Sequence, residues 1–421
     1  MRRQKQTVYR EFRAELSGPA LEEAWQKEII ACHETGLARD AAKTKVSRGG
    51  EQKKDYSDAF ISVESLSRMS TIEVSSLTGM SGFECWRVFY NILNIDGNAD
   101  HLLYYGDPEA AGGTERSIQR RRRKHKLEAK RGLLFTLFTL RTGSPVAVAS
   151  VFFGVSSPVG TRCLTTWVNF LWRSSKLFVR LPSPQEVVEN APGSFIRRGL
   201  LKVVLVLNET EIETERHWHT DLAHVLWSPY KQSPTARLLV GITTWGNICL
   251  VSEAFGGHLS DVEIVRRSGL ADKLEKLGFC GKGYSIMVDR GFNPLGLDVV
   301  LKGMTLVGPP TLRKGEAQFS KEDLHVSYGV PRLRVHVEHA IGAMKQWRFM
   351  TGKIPFRQLD LLGMAVHAIA AIVKLTNAGF ISRTHVSHGG HQREVEGSEP
   401  WNEDPCDEEC QVPRGSITYA R

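Results

Sequence analysis

LLKVVLVLN, residues 200–208, is a nearly continuous β-branched and aliphatic run. A strand wetted on one face alternates apolar and polar residues, so an unbroken run predicts a strand buried on both faces, in a sheet covered by helices. Downstream, RLLVGITT (237–244) and NICLVSEAF (247–255) flank Trp245 and Gly246 and predict a β-hairpin. A helical stretch is expected from Asp261 to Leu277, then a strand YSIMVD closing at Asp289, a short strand MTLVG (304–308), and helices from Arg332 onward. This order predicts an α/β domain over 195–380 with a mixed five-stranded sheet.

Upstream the texture is helical. Residues 1–65 mix charged and small polar types and are expected to be largely flexible. Residues 66–110 predict a small helical element, with Leu77, Phe83, Trp86, Val88, Phe89 and Ile92 at helical spacing. A basic hinge follows at 111–131. Over 127–180, after Pro145, VAVASVFFGVSSPVGTRCLTTWVNFLW reads as two short helices, with Gly154 at the turn and Ser156 or Ser157 capping the second. Two readings stand: an ordinary helical hairpin, or a DNA-binding helix-turn-helix with Ser157, Thr161 and Arg162 facing bases or phosphates. Residues 181–195 are a Pro-rich connection, and 381–421 an acidic tail expected to be disordered.

The net charge of +9 hides unlike parts. Residues 116–131 hold nine Lys or Arg and one Glu, whereas 394–409 hold eight acids and no base. The basic surplus is therefore spread over the remaining chain, which suits a polyanionic partner. Arg121, Arg122, Arg123 and Lys124 read as a nuclear import signal, a phosphate contact or a solvated face. The acidic tail is expected to lie against this run and compete with DNA. Seven scattered cysteines, an odd number, and the absence of an apolar stretch after MRRQKQ suggest a reducing, intracellular setting. Cys406 and Cys410 lack the further ligands of a zinc site, and His217, His219 and His224 make a weak metal pattern. His385, His388 and His391 read as solvated. LLGMAVHAIAAIVKLTNAGF, with His367 and Lys374 inside it, is expected to be a buried helix too short to cross a membrane.

Open α/β sheets carry their sites at the carboxyl ends of strands, which makes Asp289 a candidate, with capping of its own turn as the plainer reading. Glu338 flanks a helix whose apolar face is Val337, Ala340, Ile341 and Met344, and an ion pair with Arg334 is its structural alternative. Carboxylates on separate elements can share Mg²⁺ or Mn²⁺, the usual device for cleaving phosphodiesters. Such a site normally needs a third.

The blocks WSPYKQSPTARLLVGITTWGNICLVSEAFGGHLSDVEIVRRSG, MVDRGF, VGPPTLRKGEAQFS and RLRVHVEHAIGAMKQWRFMTGKIP, in that order, resemble the DDE superfamily endonucleases of PIF/Harbinger-type transposons. The resemblance covers about residues 127–380, the helix-turn-helix included. It implies an RNase H-like fold with three acidic metal ligands, on the first strand, the fourth strand and a late helix. The second falls on Asp289 and the third on Glu338. The first, an Asp at the end of the first strand in a pattern like DCTE, falls on Asn208 in NETE.

Asparagine offers a neutral carbonyl oxygen but removes a full negative charge and a bridging mode. Strand alternation sends Glu209 to the other face, and Glu211 matches the family's own Glu; both it and Asp261 are candidates to support the site. Capping the helix that follows is the alternative for Asp261. His339 stands where the family commonly has Arg. Trp227, Tyr230 and Lys231 match the family's WSxYK block, with Lys231 a candidate DNA contact and the two aromatics expected to pack rather than stack on DNA. The implied function is a metal-dependent, Harbinger-like transposase acting on DNA in the nucleus, impaired at Asn208, as a homo-oligomer or with a Myb-like helper protein and without a membrane. The alternatives are an inactive, domesticated DNA-binding or scaffold protein and a decaying transposon copy.

Overall fold

The computed structural model describes residues 61–104, 127–216, 220–289, 292, 302–308 and 335–376. The expectations for residues 1–60, Arg121–Lys124, His217, His219, Arg334 and the acidic tail lie outside the described residues.

The element expected over 66–110 is three helices, α1 (Val63–Arg68), α2 (Thr71–Thr78) and α3 (Phe83–Leu93). Ser62 and Ser70 open α1 and α2 with capping boxes; the Glu73 carboxylate accepts the Ser70 N–H at 2.8 Å. At Gly79, which ends α2, φ is +74° and a Cβ would stand 2.3 Å from the Trp347 ring, so backbone and packing both demand glycine.

Next come α4 (Ala129–Thr142), α5 (Val146–Phe152) and α6 (Ser157–Ser175). The expectation of two short helices is corrected for the second: α6 runs for 19 residues. Pro158 in its first turn sets a helical φ without losing a needed N–H, and no Gly or Pro interrupts the buried stripe beyond Gly160. Helices α5 and α6 turn through 105° about Gly154, whose φ is +60°. Within the Pro-rich connection lies a further helix, α7 (Pro184–Glu189), capped by Ser183.

The sheet begins with β1 (Val203–Glu213), followed by α8 (Thr220–Leu226), β2 (Trp227–Ser228), β3 (Ser233–Ile242), β4 (Ile248–Val251) and β5 (Phe255–Gly256). Then come α9 (Asp261–Arg267), α10 (Leu270–Lys276), β6 (Ser285–Met287), β7 (Thr305–Val307), a helix α11 over 335–345, and α12 (Leu359–Thr376). The single helix expected over 261–277 is broken where Gly269 takes φ +65°.

β1 runs antiparallel to β3, from Val206 opposite Ile242 to Glu213 opposite Thr235, and parallel to β6, from Val203 beside Ser285 to Val206 beside Met287. β7 extends the parallel side, while β2, β5 and β4 line the outer edge of β3 in succession. Seven described strands thus make a mixed sheet five positions wide. This is the mixed α/β architecture expected, and it is consistent with an RNase H-like domain. β1 does not end at Asn208, as the resemblance implies, but continues through the NETE tetrad.

Two apolar cores flank the sheet. On one face Val206, Leu238, Val240 and Met287 pack with Phe135, Trp167, Met344 and Ile369 of α4, α6, α11 and α12. On the other, Leu205, Leu207, Leu239 and Ile286 pack with Ile264 and Leu274 of α9 and α10. Helices 127–175 therefore share a core with the sheet.

Residues Phe356–Thr376 are long and apolar enough to span a bilayer by length and composition, contrary to the expectation that this stretch is too short. In the fold α12 is mostly buried and packs against α6 and β4. Its polar groups are matched: Ser175 Oγ and His367 Nδ1 share a 2.7 Å hydrogen bond, and Lys374 Nζ donates to the Phe178 carbonyl at 2.8 Å. Cys85, Cys163, Cys249 and Cys280 are all free thiols.

Candidate active site

Asn208 sits where the two halves of the sheet part company. β1 pairs with β3 on one side from Val206 to Glu213, but its parallel pairing with β6 stops at Val206 and Met287. Two residues further along come Asn208, still within β1, and Asp289, two residues past the end of β6. Beyond β6, Val288 N–H still reaches the Val307 carbonyl at 2.9 Å, and Phe292 N–H turns back to the Asp289 carbonyl at 3.1 Å. Buried Phe292 pins that turn. Asp289 thus follows the carboxyl end of β6, the kind of position at which open α/β sheets place their sites.

Both side chains are half-buried. The Asn208 amide oxygen accepts the N–H of Glu209 at 2.8 Å, so one of its lone pairs is already directed at its own backbone. Glu338 is exposed on α11 beside His339, while Val337, Ala340, Ile341 and Met344 hold the opposite face in the core. That division follows the apolar spacing of the sequence.

Glu209, Glu211 and Asp261 gather elsewhere. Glu209 and Glu211 lie on the sheet face opposite Asn208, and with Asp261 they surround Arg237 of β3. The Arg237 guanidinium grips Glu209 with Nε and Nη2, meets Asp261 at 2.5 Å and Glu211 at 3.5 Å, and donates to the Leu259 carbonyl. Thr235 Oγ1 donates to Glu211 at 3.1 Å. Burial pushes the Glu209 carboxyl well above the usual carboxylate range, and the neighbouring Asp261 adds to this against the pull of Arg237. Ser260 caps α9, and Asp261 is its first helical residue. Arg237 escapes a motif search; its signal is a lone charge entering the apolar run 238–242, with Glu209 and Glu211 at alternate positions of another strand.

Ser157 and Thr161 are exposed in the first turns of α6 and Arg162 is half-buried; Arg162 Nε donates to the Pro158 carbonyl at 3.3 Å. Lys231 lies in the exposed tip between β2 and β3. Tyr230 beside it is 82% exposed and Trp227 39%, which corrects the expectation that these aromatics pack inside.

Among the described residues no group of three or more His, Cys, Asp or Glu is arranged to hold a metal ion.

No curated protein and no solved structure matches the chain. Residues 207–377 match the family model of the DDE superfamily endonuclease, a stretch that opens one residue before Asn208 and takes in Asp289 and Glu338. A DDE superfamily endonuclease domain therefore spans residues 207–377 of this chain.

Proposed function

We propose that the chain is a PIF/Harbinger-type transposase or a descendant of one, which binds DNA through a basic surface and a helix-turn-helix and whose phosphodiester-cleaving site is impaired. One observation carries this reading. Within a DDE endonuclease domain, asparagine stands two residues beyond the last β1 position paired with β6, as Asp289 stands two residues beyond its partner in β6.

Endonucleases of this superfamily generally use divalent cations, here Mg²⁺ or Mn²⁺. In such centres the ions activate the attacking oxygen and stabilise the leaving one. The donors present do not fit a pair of dications. Asp289 and Glu338 are the two candidate ligands that supply charge, and the Asn208 carbonyl is neutral and engaged with the Glu209 N–H. Glu209 and Asp261 cannot substitute, because Arg237 binds both on the far side of the sheet.

DNA binding does not depend on that defect. The 105° turn between α5 and α6 and the exposure of Ser157 and Thr161 support the helix-turn-helix reading, in which the start of α6 faces the major groove. Location in the nucleus, self-association and a Myb-like helper belong to the same proposal. Full-length protein mixed with supercoiled plasmid and Mn²⁺ is expected to retard the DNA, with affinity falling as salt rises, and to leave it closed. Failure to retard DNA at low salt removes the reading, and efficient nicking removes its impaired site.

A further inference from the structure

We infer that Tyr230, at the tip of the β2–β3 hairpin, forms with Lys231 a strand-binding platform, on which an unpaired DNA base stacks while a strand phosphate meets the Lys231 ammonium and Lys345 of α11 offers a further cation to the backbone. The inference deepens the DNA-endonuclease reading above and rests on it.

The tip is built to present its ring. Ser228 pairs with Ser233, leaving Pro229, Tyr230, Lys231 and Gln232 as a four-residue connection, all exposed. Gln232 adopts φ +54° and returns its N–H to the Ser228 carbonyl at 2.9 Å, and its side-chain amide donates to the Pro229 carbonyl at 2.6 Å. Lys231 N–H is held by Ser228 Oγ at 3.2 Å. These bonds fix the turn before any ligand arrives, so little backbone entropy is left to lose on binding. Tyr230 then stands in water at 82% exposure, with the Lys231 ammonium 5.3 Å from its ring centre. An exposed aromatic on a turn fixed by hydrogen bonds, with a cation at its ring, is the combination that binds single strands, because every base has a face to stack.

Lys345 supplies the second cation. It is exposed on α11 seven residues beyond Glu338, about 10 Å of helical rise on nearly the same face. Burial of part of its stem and the charge of Lys231 both hold its ammonium below the ordinary lysine range, opposed by Glu211. Glu211 is itself taken up by Thr235 and Arg237. Among the described residues neither Lys231 nor Lys345 has a carboxylate at ion-pair distance, and each is exposed where a strand phosphate can meet it. An acidic peptide offers the same charge, but the position on the Glu338 helix favours the DNA strand that the site would act on.

The test uses full-length protein in EDTA with a fluorescein-labelled single-stranded oligonucleotide and its duplex. Tyr230→Ala is expected to weaken single-strand binding about tenfold and Tyr230→Phe to preserve it, with duplex affinity changed far less. Lys345→Ala is expected to lower the slope of log affinity against log salt by about 0.7 on the single strand. Wild-type affinity in Tyr230→Ala and an unchanged slope in Lys345→Ala overturn the platform while leaving the DNA reading intact. Loss of self-association in sedimentation with unaltered DNA affinity overturns it in favour of a protein contact. Wild-type protein that binds neither oligonucleotide overturns both.

Discussion

Arg237 is the residue on which the far side of the sheet depends. Its guanidinium is 15% exposed and faces Glu209, at 11%, together with Glu211 and Asp261. Burial is the main cause that raises the Glu209 carboxyl, and the neighbouring Asp261 adds to it against the pull of Arg237. Removing one partner of a buried ionic group strands the rest, at a cost of about 3 kcal/mol. Arg237→Ala is expected to lose that much in urea unfolding, and Arg237→Lys to lose part of it, since a point charge cannot grip two oxygens of Glu209 while reaching Asp261. Equal stability of Arg237→Ala and wild type would show that the cluster is not structural. The residue scale also separates what was legible from what was not. The core positions Val337, Ala340, Ile341 and Met344 follow from helical spacing, and the placing of Glu209 opposite Asn208 from strand alternation. The pairing of Glu209 with Arg237 joins residues 28 apart, and no local pattern encodes a partner across strands.

Among the elements, α12 carries the clearest pH signature. His367 is held by Ser175 of α6, and burial, aided by Lys176 and Lys273, pulls its imidazole down to about 4. A histidine with a lowered folded pKa binds fewer protons folded than unfolded. Its contribution is therefore full above the unfolded value of 6.5 and is lost as pH falls through about 4. Melting temperature is expected to drop between those limits and to drop less in His367→Gln, for a difference of up to about 3 kcal/mol. Parallel pH profiles for the two proteins would contradict this. The elements were legible where local chemistry is decisive: the β1 run, the β3–β4 hairpin and the turn at Gly154. They were not where a single residue or a distant partner intervenes. Gly269 splits one expected helix by adopting a left-handed conformation. β1 outruns its apolar stretch because β3 pairs with it as far as Glu213, whatever the polarity of NETE.

At the scale of the whole molecule, charge and chemistry pull apart. The chain keeps both cores filled, a five-position sheet and a net charge of +9, a charge that favours a polyanionic partner. On the proposed reading, what it lacks is one carboxylate at position 208. On the proposed reading the eight acids of residues 394–409 reduce the chain's attraction for DNA, so deleting residues 394–421 is expected to raise DNA affinity at low salt and to do little at high salt, where such attraction is screened. Unchanged affinity at low salt would remove the tail from the account. The site was legible only in part: Asp289 and Glu338 stand out by their place on a strand end and a helix flank. The significance of Asn208 comes from family likeness and from its place two residues beyond the last β1–β6 pair.

The most direct measurement is the nicking of supercoiled DNA in Mn²⁺ by wild type, Asn208→Asp and the double variant Asn208→Asp/Asp289→Ala. Nicking by Asn208→Asp alone, with wild type and the double variant silent, is the predicted result. Wild-type nicking that Asp289→Ala abolishes, at a rate Asn208→Asp does not improve, would contradict the claim that the missing carboxylate disables this site.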